Sequence, residues 1–269
     1  MENILTVDSM YFTYGEKLIF DDISFKIKKN SVTAILGSNN CGKTTLIKSL
    51  SGILLSDGVI QINELPLRPQ NSKMILLNIG VVLSNLDKQF LFEDVMSELA
   101  FPLENLKYSK KNIKEAIRNI SLLFGIESIV EEHVSGLNKY QKLLVLVATS
   151  IIHNPRILFL DDVLVGLSNN EIDALFKILR RLVNERDLTI IFTTSNVIDV
   201  LPVDRVLVIN ESKIVMDDAP MEILEKENEL SKIGIMIPTM IDLSMKLKFY
   251  DLVDKIYLNT DEVVDKLWP

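Results

Sequence analysis

Between Ile4 and Ile27 apolar and polar residues alternate, in ILTVDSMYFTY and again in LIFDDISFKI. A period of two puts one face in a core and the other in water, which predicts antiparallel strands. Ser31 to Leu36 is a short β-rich run that stops at Gly37, and KTTLIKSLSGIL after it has a helical pattern. Val59–Ile62 and Ile79–Leu83 read as further strands. From about Phe90 to Asn154 the period lengthens. Ile113, Ala116, Ile117, Ile120 and Leu123 form one amphipathic stripe that Gly125 can stop, and a second helix runs from about Lys139 to His153, ending at Asn154-Pro155.

Ile157–Leu160 and Thr189–Thr193 are continuous apolar runs, as expected of parallel strands covered on both faces. Between them Glu171–Arg186 carries a stripe at Ile172, Leu175, Leu179, Leu182 and Val183. Val206–Ile209 and Lys213–Met216 flank Asn210-Glu211-Ser212 as a hairpin, and the residues after Pro220 form a small appendix. Strands alternating with helices predict an α/β core. The helical block at 90–154 interrupts the alternation as an insertion.

Composition narrows the class. The 269 residues suit one large domain or two joined ones, at about 150 residues per domain. Apolar residues at 48% and charged residues at 25% exclude a disordered, collagen-like or disulfide-dense chain. A single cysteine forbids an internal disulfide. A net charge of −8 argues against binding nucleic acid over a broad surface. The start, MENILTVDSM, lacks the basic and apolar regions of a signal peptide. The longest apolar stretch, Leu143 to Ile152, falls well short of the roughly 20 residues a membrane span needs.

Gly37-Ser38-Asn39-Asn40-Cys41-Gly42-Lys43-Thr44, followed by Thr45, matches G-x-x-x-x-G-K-[ST] at every fixed position. Glycines let backbone N–H groups turn inward around phosphate oxygens, and the following helix aims its positive end at the same anion. Lys43 is expected to reach the β- and γ-phosphates, and the Thr44 hydroxyl to ligate Mg²⁺. Asn39 and Asn40 stand where positive φ is called for, and Asn tolerates it. Ile157-Leu158-Phe159-Leu160 ends in Asp161-Asp162. Such a loop needs an acid at the end of a neighbouring strand to hold Mg²⁺, and Asp161 fits.

With these residues the chain resembles the ATP-binding subunits of ABC transporters along nearly its whole length. Tyr14, in MYFTYGE, stands where that family stacks an aromatic on adenine. Val134-Ser135-Gly136-Leu137-Asn138 matches its LSGGQ signature, Gly166-Leu167-Ser168 its GLD loop, and Phe192-Thr193-Thr194 the strand end written T-H. Leu86-Asp87-Lys88-Gln89-Phe90 through Val95 to Ala100-Phe101, and the tail from Ile233 to Leu267, resemble the ATPases of energy-coupling factor (ECF) importers. The resemblance implies an α/β P-loop NTPase (RecA-like) core with an antiparallel β subdomain over 1–85 and 155–220. It implies an inserted α-helical signature subdomain over 86–154 and a C-terminal segment over 221–269, suited to dimerisation.

The departures from the family pattern concern the chemical step. Ser84 replaces the activating glutamine, Asp162 the catalytic glutamate, and Thr194 the switch histidine. Leu137 replaces the second signature glycine, Asn138 its glutamine, and Ser168 an aspartate. Asp162 is one methylene short of Glu, and a displacement of about 1 Å in a positioning group can cost on the order of 10²-fold in rate. Leu137 puts bulk where close approach of backbone to phosphate favours Gly. A chain that holds ATP and Mg²⁺ but hydrolyses ATP poorly is expected. The resemblance further implies a head-to-tail pair with a second ABC ATPase subunit, here a more typical partner. It also implies an integral membrane transport subunit and a place at the cytoplasmic face of the membrane. A regulatory nucleotide-binding module without a transport cycle is the alternative. A soluble ATPase acting on ribosomes or DNA is disfavoured by the acidic balance.

Overall fold

The computed structural model describes residues 2–254, 256–258 and 260–267. The stretch assigned above to a C-terminal segment therefore includes Lys255, Asn259, Trp268 and Pro269, which lie outside the described residues. Strand β1 (Asn3–Tyr14) and β2 (Lys17–Lys28) pair antiparallel. After β3 (Val32–Leu36) and α1 (Lys43–Leu50) come β4 (Asp57–Ile62) and β5 (Leu65–Pro66). The first sheet has the order β2-β1-β4-β5 and is antiparallel throughout. A short α2 (Ser72–Leu76) leads to β6 (Ile79–Val82).

Three helices interrupt the strands here: α3 (Val95–Asn105), α4 (Lys110–Phe124) and α5 (Lys139–Ile151). Their limits follow the chain's own signals. Asp94 and Ser109 accept from the third-residue N–H groups of α3 and α4, and Gly125 ends α4 in the left-handed region. Asn138 and Gln141 form a reciprocal capping box on α5.

Strand β7 (Ile157–Leu160), α6 (Asn169–Arg186), β8 (Thr189–Thr194) and the hairpin β9 (Arg205–Asn210) with β10 (Lys213–Asp218) complete the second sheet. Its order is β10-β9-β3-β8-β7-β6, parallel except at the β10 edge. The apolar runs predict two covered faces, and two cores are present. Val32, Ala34, Leu36, Leu158, Leu160, Ile190 and Phe192 face the core shared with α3–α6. Ile35, Ile157, Phe159 and Ile191 face the core shared with α1 and the antiparallel sheet. Successive strand residues point to opposite faces, so one run of sequence supplies both. Helices α7 (Pro220–Leu224), α8 (Glu227–Lys232), α9 (Thr239–Phe249) and α10 (Thr260–Leu267) follow. Leu230, Ile235 and Ile241 join the helical core, whereas Val253, Tyr257 and Val263 form a small cluster of their own.

The order β3, loop, α1, with β8 and then β7 beside β3, brings the Gly37–Thr44 loop and the ends of β7 and β8 to one edge of the sheet.

Candidate active site

The loop after β3 is shaped by contacts only glycine allows at its ends. A Cβ on Gly37 would stand 2.5 Å from Cys41 Sγ and 2.9 Å from the Ile209 carbonyl oxygen. Gly42 caps α1 at φ 104°, the left-handed region that side chains rarely adopt. Of the two asparagines expected at positive φ, only Asn40 is there, at 64°. Burial pushes the Cys41 thiol up, and Lys43 partly opposes this.

Lys43 is 4% exposed. Its ammonium donates to Gly37 O at 3.0 Å, Ser38 O at 3.0 Å and Ser195 Oγ at 2.9 Å, which uses its three protons. Ser195 Oγ in turn donates to Asn39 Oδ1 at 3.0 Å. Thr44 Oγ1 lies 2.8 Å from Asp161 Oδ2 and 3.1 Å from Oδ1, and Thr193 Oγ1 donates to Oδ1 at 2.9 Å. Asp161 is fully buried. A hydroxyl beside a buried carboxylate is an all-oxygen donor set suited to a hard cation such as Mg²⁺. Among the described residues no group of three or more His, Cys, Asp and Glu could hold a metal ion. A cation here would therefore draw its remaining ligands from a bound phosphate and water.

Asp162 has φ 47°, and its N–H donates to Thr193 Oγ1 at 2.8 Å. One carboxylate oxygen lies 4.0 Å from Lys43 Nζ; the other is buried without a hydrogen-bond partner among the described residues. Burial raises the Asp162 carboxyl above its ordinary range, against the pull of Lys43. Tyr14, Lys17, Ile19, Asn39, Asn40, Gly42, Lys43, Thr44, Thr45 and Asp162 line one cavity of about 690 Å³. Tyr14 is 50% exposed at its rim and meets Phe12 edge-on at 4.9 Å. A ring half exposed leaves area open for stacking. Lys17, Ile19 and Ser195 were not singled out from sequence. Lys17 and Ile19 lie in the alternating β2, where nothing marks a cavity wall.

Three expectations change. The first concerns Thr194, which turns away from the phosphate loop. Its hydroxyl is buried and donates to Asp199 Oδ2 at 2.5 Å, and Ser195 is the residue that reaches Lys43. Thr194 lies two residues after Phe192, so the pleat sends it to the same, helical-core face. Burial raises the Asp199 carboxyl, and the Thr194 hydroxyl partly offsets this. Thr194→Val is expected to cost about 2 kcal/mol, because it strands a buried acceptor. Urea denaturation should show this loss while nucleotide affinity stays at the wild-type value.

The second is Leu137, which is only 7% exposed and packs in the helical core instead of projecting outward. Leu137→Gly, although it restores the family pattern, is expected to cost about 3–5 kcal/mol through lost packing and added chain entropy. A drop in melting temperature would check this. The third is Asn138, whose side chain caps α5. Val134 is buried, whereas Ser135 and Gly136 are exposed in a short 3₁₀ turn. That turn and Ser84, exposed just beyond β6, lie outside the cavity lining. The glutamine nearest Ser84 in sequence, Gln89, folds back on the backbone and bonds Leu83 N–H, Leu83 O and Asn85 O at 2.7–3.0 Å.

The family model described as ABC transporter matches residues 20–165. An energy-coupling factor transporter ATP-binding protein of Ureaplasma parvum is 30% identical over 97% of this chain and 89% of its own length. One from Levilactobacillus brevis is 29% identical over 99% and 97%. The solved structure of cbiO1 from Clostridium perfringens, part of the ABC transporter complex cbiONQ, superposes with a TM-score of 0.80 at 27% identity, over 91% of this chain and all of that one. With a loop, sheet order and cavity of this kind, and with these relatives, the chain belongs to the ABC transporter family, among the energy-coupling factor ATP-binding proteins.

Proposed function

We propose that this chain is the ATP-binding subunit of an ECF-type importer and is the weakly hydrolysing half of an ATPase pair. The observation that carries this reading is a cavity that keeps the groups for holding a nucleotide while position 162 is a short Asp and position 195 a Ser. In this reading Gly37–Thr45 cradle the phosphates, Lys43 exchanges its present acceptors for phosphate oxygens, and adenine stacks on Tyr14. Thr44 and Asp161 would hold Mg²⁺, which would supply charge neutralisation at the phosphates. Asp162 stands where a base orients the attacking water, and its side chain, one methylene shorter than Glu, opposes that task. Ser195 takes the switch place first assigned to Thr194, and it offers a hydroxyl where an imidazole would bridge to phosphate.

The segments 1–85 and 155–220 then form the nucleotide-binding core, 86–154 the signature subdomain and 221–269 a dimerisation segment. Ser135 and Gly136 face the ATP of a second, more typical ATPase subunit. A membrane subunit docks near residues 84–101, so the chain sits at the cytoplasmic face as a peripheral subunit. None of the helices among the described residues is long and apolar enough to cross a membrane.

Tagged chain isolated in mild detergent is expected to bring with it, in fixed proportion, a second ABC ATPase and an integral membrane protein. A freestanding homodimer with robust ATP turnover would contradict the proposal.

A further inference from the structure

Away from the cavity, the turn before α3 is stitched to the turn before α5. Val134 N–H donates to Glu93 O at 2.8 Å and Val95 N–H to Glu132 O at 3.2 Å, around an antiparallel bridge that pairs Asp94 with His133. On one side of the bridge stand the exposed Leu91 and Phe92. Their N–H groups both donate to Glu98 Oε2, at 2.9 and 3.0 Å. Glu98 is only 3% exposed, so these bonds anchor the turn to the interior of α3.

On the other side, Ser135 N–H donates to His133 Nδ1 at 3.2 Å, and Ser135 Oγ lies 2.7 Å from the same nitrogen. A backbone N–H can only donate, so Nδ1 is the acceptor and the neutral ring carries its proton on Nε2. Nε2 faces Glu93 Oε2 at 3.6 Å. The ring thus joins the carboxylate of one turn to both donors of Ser135. An exposed contact of this kind, 3.6 Å between a neutral ring and a carboxylate, contributes little by itself. The mechanical link is the backbone bridge, and the imidazole makes its last contact.

We propose that His133 is a positioning residue that carries displacement of the Leu91–Phe92 turn to Ser135. This rests on the functional reading above, in which the turn meets the membrane subunit and Ser135 meets the partner's nucleotide. Both Ser135 donors are committed to Nδ1, and a phosphate reaching Ser135 needs those same donors. Movement of the turn shifts Glu93 O, hence Val134 and the ring, and so decides whether the donors are held or free. The coupling therefore runs through named hydrogen bonds and has a double-mutant test.

The chain has two histidines, so their ring nitrogens can be read directly in a uniformly ¹⁵N-labelled full-length sample. His133 is expected as the Nε2–H tautomer. Glu98→Ala, which releases the turn without touching the ring, should speed amide exchange at Ser135 by about fivefold, the loss expected for one net hydrogen bond. It should also shift Nδ1. His133→Ala should speed Ser135 exchange similarly and remove any further effect of Glu98→Ala. His133→Asn, whose Oδ1 can accept the same N–H, should restore slow exchange. Glu93→Gln leaves the interior intact and should still shift the ring signals if Glu98→Ala proves too unstable to study. An Nδ1–H tautomer, additive effects in the double variant, or Ser135 exchange indifferent to the turn would each overturn the proposal. ATP affinity of the same wild-type sample tests the functional reading separately: absent binding would overturn that reading, whatever the exchange data show.

Discussion

Asp162→Glu combined with Ser195→His is expected to raise ATP turnover by on the order of 10²-fold or more, the scale of a repaired positioning and proton-transfer group. In the proposed reading Asp162 fills the base position, with its N–H donating to Thr193 Oγ1 and its carboxylate 4.0 Å from Lys43 Nζ. On that reading it is one methylene short of the family's Glu, and Asp162→Glu supplies the length. Ser195 already contacts Lys43, which lines the cavity, so an imidazole there stands beside that ammonium. The same imidazole at 194 would enter the helical core and displace the contact with Asp199. The two places for the imidazole therefore have opposite outcomes: on top of Asp162→Glu, Ser195→His adds activity, and Thr194→His loses stability without adding any. Turnover and melting curves on the four variants, single and paired, check both. The gain should need both repairs, because groups acting on one reacting centre are not additive.

Lys43→Ala is the second large effect, and it falls on binding. The ammonium is buried, and it ties Gly37 O, Ser38 O and Ser195 together at the point where phosphate would lie. Truncating one partner of a buried charge-assisted contact costs about 2–5 kcal/mol, or roughly 10²–10³-fold in ATP affinity. The variant also removes the ammonium that lies 4.0 Å from the Asp162 carboxylate. Titration with a fluorescent ATP analogue checks the affinity. An affinity within about threefold of wild type, well inside the 1.4 kcal/mol of a tenfold change, would mean that phosphates bind elsewhere.

Much of the fold is written in local periods. The alternation in β1 and β2, the apolar run of β7 and the stripe on α4 each follow from which faces must be covered. The phosphate loop is legible because its residue types serve backbone geometry over a few neighbouring positions. Side-chain direction at element ends is not legible in this way. Whether Thr194 or Ser195 meets Lys43 depends on where β8 stops alternating, and two adjacent hydroxyl residues give no sign of it. Leu137 reads as a bulky intruder in the signature until the turn before α5 directs it into the core. Glu98 and Gln89 look like ordinary surface residues of a charged segment. Their work lies in bonds to backbone N–H and C=O groups, which composition does not reveal.

The central claim is that this chain holds ATP and hydrolyses it weakly. Its most direct test is a single-turnover experiment on the purified wild-type chain with Mg²⁺, in which bound ATP and released phosphate are counted in the same sample. The account predicts saturable ATP binding that Lys43→Ala abolishes, with almost no phosphate released until Asp162→Glu and Ser195→His are both present. Turnover of about 1 s⁻¹ or faster by the wild-type chain alone, an ordinary enzymatic rate, would contradict it.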